Sequence, residues 1–210
     1  MECGSPRNDI LINPDPMSLQ NIKSKIGINQ DVKVAIYAPT YRESNEVGAY
    51  LLDFKRLLKA LETKFDGKWV LLVRLHPLVA SQSGGISYNK KIINATNYRD
   101  IYELMAISDV LVTDYSNIMF EFSLMKKPVF LYANDIEEYE NERGFYFPYH
   151  KLPYDKSQSE DELIHNIETF NFQVNSEKVK GFLDNISLYE TGFASKIVVD
   201  RIIEVIEEKS

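Results

Sequence analysis

Apolar residues fall in short continuous runs along the chain, separated by longer stretches in which apolar positions recur every three to four residues. A continuous run is typical of a strand in a parallel sheet that is covered on both faces, and the intervening spacing is typical of amphipathic helices. The predicted strands are Lys33–Ala38, Trp69–Val73, Ile92–Ile93, Asp109–Thr113 and Val129–Tyr132. This alternation of strand and helix predicts an α/β fold with a doubly wound, Rossmann-like parallel sheet.

The helices between these strands are indicated by apolar spacing and by capping residues. One helical stripe consists of Leu51, Phe54, Leu57, Leu58 and Leu61. Asp100 is suited to cap a helix that runs through Met105, and a further helix is predicted from Ser116 to Lys126. A loop rich in Ser and Gly is predicted over residues 81–85.

The two ends of the chain differ from this alternating centre. Residues 1–9 begin abruptly, without a helix or strand before a turn-rich stretch, and residues 1–30 are predicted to be an entry segment from a missing N-terminal domain. Residues 31–158 form the predicted Rossmann-like, nucleotide-donor-binding core. Residues 159–210 are predicted to be a helical tail packed on the core, because they carry two apolar stripes at helical spacing. The stripes are Leu163, Ile167 and Phe170, and then Val198, Ile202 and Val205.

Composition and charge narrow the class of protein. Apolar residues make up 44% of the chain, enough for a sizeable core. The single cysteine, Cys3, cannot form an internal disulfide, which favours a reducing cytoplasm, and no run approaches the roughly 18 apolar residues of a membrane span. The net charge of −7 argues against a nucleic-acid partner and against purely electrostatic docking on a membrane. An anionic ligand must therefore be held by local hydrogen-bond donors.

Three polar clusters follow predicted strands, at the edge of the sheet where open α/β folds bind ligands. They contain Thr40 and Arg42, Arg74 and His76, and Asp114, Ser116 and Asn117. In the third cluster a buried strand leads directly into a turn that opens the next helix. The N–H groups at the start of that helix suit an anion, and two short polar side chains add donors. Ordinary helix capping by Asp114 or Ser116, without a ligand, is the alternative interpretation.

His76 and three arginines are the other candidates for phosphate binding. Histidine titrates near neutrality, so His76 suits a proton carrier or a donor to phosphate, and a hydrogen bond with nearby backbone is the alternative. Arg42, Arg74 and Arg143 suit bidentate contact with phosphate, and surface ion pairs are the alternative for each.

The remaining polar residues of interest point to no further chemistry. Asp135, Glu137 and Glu138 are interpreted as a solvated helix start rather than as metal ligands, since the sequence contains no Asp-x-Asp motif. No metal ligand set is predicted, and the need for a divalent ion stays open. His150 and His165 are interpreted as surface residues. The sequence contains no P-loop or Gly-x-Gly-x-x-Gly pattern.

Taken together, the polar motifs resemble those of the CDP-glycerol glycerophosphotransferases, a family that makes teichoic acids and related capsule polymers. Five segments occur in the order seen in that family: Gly4–Asp9, Tyr37–Arg42, Arg74–Pro77, Ser108–Asn117 and Arg143–Tyr146. The resemblance runs from Gly4 to about Ser195. The Asp-Tyr-Ser and Arg-x-His-Pro motifs are together its most specific part.

The resemblance implies a two-domain GT-B transferase of which this chain is the C-terminal, donor-binding half. It implies that His76 takes part in catalysis and that the turn with Ser116 and Asn117 holds the diphosphate of a CDP-alcohol such as CDP-glycerol. The predicted donor-binding residues are Thr40, Arg42, Arg74, Ser116, Asn117 and Arg143, supported by Asp114 and Glu121. No cofactor is identified besides the CDP-alcohol substrate.

The resemblance also implies what lies outside this chain. The missing domain is expected to hold a lipid-linked polymer acceptor and to supply the histidine that acts as base. The isolated chain is therefore expected to turn over little or nothing. The full-length protein is expected in the cytoplasm, peripheral on the inner face of the bacterial cell membrane.

Three departures from the family pattern bear on which alcohol is transferred. Asn117 stands where a second Ser is usual, Glu121 stands where Asp is usual, and Glu190–Ser195 lacks the usual Lys. A ribitol-phosphate or sugar-phosphate donor therefore stays open. Two other classes of function also stay open: a GT-B glycosyltransferase that uses a UDP- or GDP-sugar, and a non-catalytic nucleotide-binding module.

Overall fold

The computed structural model describes residues 2–42, 50, 52–80, 86–186 and 188–208. The predicted loop over residues 81–85, and Leu51 of the predicted helical stripe, lie outside the described residues. The strands are β1 (Lys33–Tyr37), β2 (Trp69–Val73), β3 (Ile92–Asn94), β4 (Val110–Thr113), β5 (Val129–Tyr132) and β6 (Asp155–Ser157). The helices are α1 (Asp9–Ile12), α2 (Pro16–Ile26), α3 (Phe54–Phe65), α4 (Pro77–Ala80), α5 (Ile101–Ile107), α6 (Ile118–Ser123), α7 (Ile136–Glu142), α8 (Glu160–Thr169), α9 (Phe172–Asn185) and α10 (Ala194–Glu207).

The strands form one parallel sheet in the order β3-β2-β1-β4-β5-β6. β1 lies between β2 and β4, and Ala35 pairs with Leu71 on one side and Val110 on the other. From β1 the chain adds β2 and then β3 on one side of the sheet. It then crosses to the other side of β1, where β4, β5 and β6 follow, so the direction in which strands are added changes at β1. At such a switch point the loops that leave the carboxyl ends of the strands border a crevice. The loops after β1, β2 and β4 are therefore neighbours.

Both faces of the sheet are covered, because successive side chains of a strand enter different cores. Val34 and Ile36 face a core that α2, α5 and α6 cover. Ala35 and Tyr37 face a second core that α3 and α8 cover. This burial on both faces explains why the strands are continuous apolar runs in the sequence.

The structure confirms the predicted α/β fold and the five predicted strands, with bounds that differ by one residue or none. The apolar pattern does not predict β6, since Asp155–Ser157 contains no large apolar side chain. β6 pairs with the outer side of β5, and Phe130 lies opposite Asp155. Backbone hydrogen bonding along an existing strand, rather than burial of side chains, therefore defines this edge strand.

The N-terminal segment is more structured than predicted. Residues 6–8 form a 3₁₀ turn, and α1 and α2 follow in the rest of the entry segment, where no helix is predicted. Asp15 caps α2 by accepting a hydrogen bond of 2.8 Å from the Ser18 N–H, and Gly27 ends it with φ at 79°. An Asp-Pro start and a Gly end are ordinary helix signals that the sequence interpretation overlooked.

Two carboxylates join the N-terminal segment to the C-terminal region. Glu190 accepts hydrogen bonds from the backbone of Ser5 and from the Asn8 side chain, the latter at 2.8 Å. Asp9 accepts hydrogen bonds of 2.9 and 2.8 Å from the first two N–H groups of α10, and so caps that helix from another segment. Residues 5–9 therefore pack with the tail of this chain.

The two predicted apolar stripes of the tail differ in burial. The stripe of α8 is buried, as predicted. The stripe of α10 is not buried in this chain, since Ile202 is 54% exposed. The exposed apolar residues of α10 are Val199, Ile202, Ile203 and Ile206. α10 contacts the 3₁₀ turn of residues 6–8 through its first residues.

Candidate functional site

Contacts connect the three loops at the carboxyl edge of the sheet. In the loop after β1, Thr40 donates to Asp114, which follows β4. The next residue, Tyr41, packs against His76, which follows β2, with ring centroids 4.9 Å apart. His76 is therefore linked to the Asp114 turn through two consecutive residues of one loop.

Asp114 is the centre of the hydrogen bonding at this junction. Its carboxylate is 1% exposed and accepts from the Thr40 N–H at 2.9 Å, from the Thr40 hydroxyl at 2.7 Å and from the Tyr115 N–H at 2.5 Å. Its second oxygen accepts from the Arg42 guanidinium at 2.8 Å. A buried carboxylate is tolerated when its oxygens are satisfied in this way. Asp114 thus supports the loop geometry rather than facing a ligand.

Arg42 is buried and holds two carboxylates together. Its Nε and Nη2 donate to the two oxygens of Asp135 at 2.5 and 3.0 Å, and Nη2 also donates to Asp114. Its Nη1 donates to the Thr40 carbonyl at 2.6 Å, and the guanidinium carbon lies 4.8 Å from the ring centre of Tyr115. Arg42 is a member of an ion pair, as the alternative interpretation held, but the pair is buried rather than at the surface, because the residue is 6% exposed. Its contact with a diphosphate stays a prediction.

The charges of this network shift the pKa values of both partners. Burial alone would lower the pKa of Arg42, but the hydrogen bond to Asp135 and the charge of Asp114 raise it above its ordinary value. Burial acts to raise the pKa of Asp135, and the hydrogen bonds from Arg42 and Tyr115 outweigh it, so that the pKa lies below the ordinary 3.8. The pair is therefore ionised at neutral pH.

The interpretation of the acidic group after β5 needs correction at one residue. Glu137 and Glu138 are exposed, as a solvated helix start predicts. The Asp135 side chain is 14% exposed and pairs with Arg42, so the solvated interpretation is wrong for Asp135. The partner lies 93 positions away in the sequence, and no local pattern indicates it.

We expect the free energy of unfolding to decrease as the pH falls below the ordinary carboxyl range, and Asp135 to contribute to that decrease. The pKa of Asp135 is lower in the folded chain than in the unfolded chain, so the unfolded chain binds more protons between the two values. The contribution is therefore present above the unfolded pKa and is lost as the pH falls through the folded pKa. Urea denaturation over a pH series should show that the free energy of unfolding falls less at acid pH for Asp135→Asn than for the wild type.

Asp161 offers the control for that series. Its side chain is 84% exposed and pairs only at the surface with Arg56, so Asp161→Asn should follow the wild-type pH dependence closely. If the free energy of unfolding falls equally at acid pH in the wild type, Asp135→Asn and Asp161→Asn, Asp135 does not contribute to the acid destabilisation.

His76 is exposed, and its Nδ1 accepts a hydrogen bond of 3.3 Å from the Leu78 N–H. The neutral ring therefore carries its proton on Nε2, which is the nitrogen left to donate to a ligand. The alternative of a histidine bonded to nearby backbone is thus observed, and it leaves the second nitrogen available. Whether His76 acts in catalysis stays a prediction.

Arg74 holds the loop that follows β3. Its Nη1 donates to the carbonyls of Ala95 and Tyr98 at 3.2 and 2.5 Å, and its partial burial lowers the pKa of the guanidinium. Part of its donor capacity is thus used within the protein. Its contact with a diphosphate stays a prediction.

The turn that carries Ser116 and Asn117 is open to solvent. Ser116 is half-buried and Asn117 is exposed, and in the described part of the chain no acceptor bonds to the backbone N–H of either residue. The capping alternative named Asp114 or Ser116: Asp114 bonds to the Tyr115 N–H, ahead of α6, and among the described residues no bond joins the Ser116 hydroxyl or the Asn117 side chain to the start of α6. The turn therefore presents backbone donors that no described residue uses.

The two other predicted residues lie on α6 and at the end of α7. Glu121 accepts from the Tyr102 hydroxyl at 2.9 Å and pairs with Arg7 at 2.9 Å, which connects α6 to α5 and to the N-terminal segment. Arg143 is exposed. Its backbone N–H donates to the Tyr139 carbonyl at 3.0 Å, and the Tyr139 ring centre lies 5.2 Å from the guanidinium carbon of Arg42.

Sequence reasoning missed three residues of this junction, namely Tyr41, Tyr115 and Asp135. Tyr115 donates to Asp135 at 2.9 Å and stacks on Tyr139 with ring centroids 4.0 Å apart. Tyr41 and Tyr115 stand directly beside residues that the motifs identify, which is the available signal. Adjacency in sequence does not tell which side chain of a loop faces a neighbouring loop, so the signal alone is not sufficient.

The described residues lack two further kinds of feature. They contain no group of three or more His, Cys, Asp or Glu side chains arranged to hold a metal ion. None of the described helices combines the length and the apolar character needed to cross a bilayer.

Known proteins share both the sequence and the fold of this chain. A family model described as CDP-glycerol:poly(glycerophosphate) glycerophosphotransferase matches residues 1–204. The teichoic acid poly(glycerol phosphate) polymerase of Staphylococcus epidermidis is 35% identical, over 100% of this chain and 30% of its own length. The teichoic acid poly(ribitol-phosphate) polymerase of Bacillus spizizenii is 30% identical, over 98% of this chain and 34% of its own length.

A solved structure of the wall teichoic acid polymerase TagF superimposes on the chain with a TM-score of 0.80 at 34% identity. The match covers 100% of this chain and 52% of that structure. It confirms the predicted Rossmann-like fold of the GT-B type. The chain thus spans between about a third and a half of the length of these relatives.

Proposed function

Because the chain belongs to the CDP-glycerol:poly(glycerophosphate) glycerophosphotransferase family, we propose that it supplies the donor site of a transferase that moves glycerol phosphate from CDP-glycerol to a teichoic-acid-like or capsule polymer. CMP is the second product. The proposal rests chiefly on the open turn at Ser116 and Asn117, which lies at the junction of three loops in a chain that matches the family model over residues 1–204.

In the proposed reaction an acceptor hydroxyl attacks the β-phosphorus of the donor in line. A bond forms from the acceptor oxygen to phosphorus as the bond from phosphorus to the bridging oxygen breaks, and that oxygen leaves with CMP. The hydroxyl proton passes to a base that the proposal does not assign to this chain. Charge spreads over the phosphate oxygens, so positioning and electrostatic stabilisation are the main tasks of the protein.

The proposed roles follow from the hydrogen-bond donors, in backbone and side chains, that the described residues leave unused. The N–H groups of Ser116 and Asn117, together with the Ser116 hydroxyl, bind oxygens of the diphosphate. Nε2–H of His76 donates to the same group from the loop after β2. The buried ion pair of Arg42 and Asp114 holds the loop after β1 against the turn after β4, and Thr40 adds a hydrogen bond from that loop to Asp114.

The acceptor and the location of the reaction are part of the same proposal. The acceptor is a lipid-linked polymer, and the protein works peripherally at the inner face of the cell membrane, because family members build polymers of the cell envelope. The relatives named above differ in the alcohol that their names give, glycerol or ribitol. CDP-ribitol is therefore the second donor to test.

Calorimetric titration of the 210-residue chain tests the donor site directly. We expect heat of binding with CDP-glycerol or CDP-ribitol, weaker heat with CMP, and none with a UDP-sugar. His76→Ala should weaken binding of the CDP-alcohol by about tenfold, because one hydrogen bond to a charged group is lost, which is about 1.4 kcal/mol.

His165→Ala is the matched control for the titration. His165 is an exposed histidine on α8, and its replacement should leave the dissociation constant unchanged. Absence of heat with every CDP compound would remove the donor-site assignment, and equal dissociation constants for the wild type and His76→Ala would remove His76 from that site. A preference for a UDP-sugar would favour the glycosyltransferase alternative.

A further inference from the structure

Two contacts with described residues hold the imidazole of His76, and one of them is aromatic. The ring of Tyr41 lies against it with centroids 4.9 Å apart and an angle of 46° between the ring planes. Ring pairs at this separation attract one another beyond the area that they bury. The hydrogen bond from the Leu78 N–H to Nδ1 also restricts rotation of the ring. An exposed histidine is thus held on one face and at one nitrogen.

Tyr41 is itself held at both of its neighbours in the chain. Thr40 donates to the buried Asp114 by its N–H and by its hydroxyl. The Arg42 N–H donates to the hydroxyl of Tyr50 at 2.7 Å, and the Arg42 side chain is buried between two carboxylates. The backbone of Tyr41 is therefore fixed relative to the turn after β4. Because the Tyr41 ring packs against His76, it also limits where the imidazole can lie relative to that turn.

We propose that Tyr41 is a positioning residue, whose ring holds the imidazole of His76 so that Nε2–H is directed at the group bound by the Ser116 turn. This inference rests on the proposed function. Geometry of this kind matters because a displacement of about 1 Å in a catalytic contact can cost on the order of a hundredfold in rate. Tyr41 acts through His76 and needs no contact with the substrate.

Nuclear magnetic resonance of the imidazole nitrogens tests the structural half of the proposal in the 210-residue chain. The chain contains three histidines, so His76→Gln assigns the signals of His76. At a pH at which the ring is neutral, the wild type should show the proton on Nε2. Tyr41→Leu should shift the His76 nitrogens towards a mixture of tautomers, whereas Tyr41→Phe, which keeps the ring, should retain the wild-type shifts.

Kinetics of the full-length protein tests the functional half. Tyr41→Leu should lower kcat by about tenfold or more and raise KM for the donor by no more than the roughly tenfold weakening expected for His76→Ala, and Tyr41→Phe should stay within about twofold of the wild type. In a His76→Gln background, Tyr41→Leu should have little further effect, because two residues that act through one group are not additive. Tyr189→Leu is the control, since Tyr189 is 51% exposed outside the site.

The results separate failure of this proposal from failure of the proposed function. Unchanged His76 nitrogen shifts in Tyr41→Leu overturn the proposal, and so do additive effects of Tyr41→Leu and His76→Gln. An equal loss in Tyr41→Phe and Tyr41→Leu also overturns it, because the hydroxyl and not the ring would then be responsible. If no CDP-alcohol binds, the proposed function fails, and the nitrogen shifts alone still decide whether Tyr41 sets the state of His76.

Discussion

Replacing His76 by alanine in the full-length protein should lower the rate of transfer by well over tenfold, which corresponds to more than about 1.4 kcal/mol in the barrier. The reason is that His76 presents Nε2–H at the edge of the sheet where the loops after β1, β2 and β4 meet. A donor aimed at developing charge contributes more in the transition state than in the bound substrate. The loss should therefore appear in kcat as well as in kcat/KM.

His76→Gln distinguishes two roles for this residue. A glutamine amide can donate a hydrogen bond but cannot carry a proton at neutral pH. If His76 only donates to a phosphate oxygen, His76→Gln should retain a rate between those of the wild type and His76→Ala. If His76 transfers a proton, both variants should be equally slow. His165→Ala should have the wild-type rate, and a wild-type rate for His76→Ala would exclude any role in the reaction.

The second large effect concerns stability. Asp114→Ala should lower the free energy of unfolding by about 3–5 kcal/mol, because it leaves part of the buried charge of Arg42 and the N–H of Thr40 without their partner. This is a large share of the roughly 5–15 kcal/mol that stabilises an ordinary domain. Urea denaturation followed by circular dichroism measures it. Binding of the CDP-alcohol should weaken in parallel, since Asp114 fixes the loop after β1 to the turn that carries Ser116.

Two further variants calibrate this prediction. Asp114→Asn keeps the volume and one acceptor oxygen but removes the charge. Its decrease in the free energy of unfolding should therefore lie between zero and the decrease for Asp114→Ala. Asp161→Ala breaks the exposed pair with Arg56 and should cost less than about 1 kcal/mol. A loss for Asp114→Ala as small as that for Asp161→Ala would mean that the buried network does not stabilise the fold.

Much of the architecture follows from the order of residues alone. A strand buried on both faces must be apolar at every position, so β1, β2, β4 and β5 can be located from continuous apolar runs. Parallel strands place their carboxyl ends at one edge, so the polar residues after them, such as His76 and Ser116, are predicted to come close together. The motifs around those residues also identified the family.

Other features depended on contacts between distant segments. The carboxylate partners of Arg42 lie 72 and 93 positions away, and the sequence around Asp135 resembles an ordinary exposed helix start. Likewise, β6 exists because the edge of β5 offers backbone hydrogen bonds, and residues 5–9 are ordered because Glu190 and α10 pack against them. None of these contacts leaves a periodic pattern of apolar residues.

The amino-acid sequence thus determined the layers of this protein and the edge at which its chemistry lies, because burial of whole strands and helices is recorded in the spacing of apolar residues. The tertiary structure decided which polar groups are held and which remain available: Arg42 is buried between Asp114 and Asp135, Tyr41 lies against His76, and the donors of Ser116 and Asn117 are left open. The physical reason is that the state of a polar side chain depends on the partners that the fold brings within hydrogen-bonding distance, and those partners are far apart in the chain.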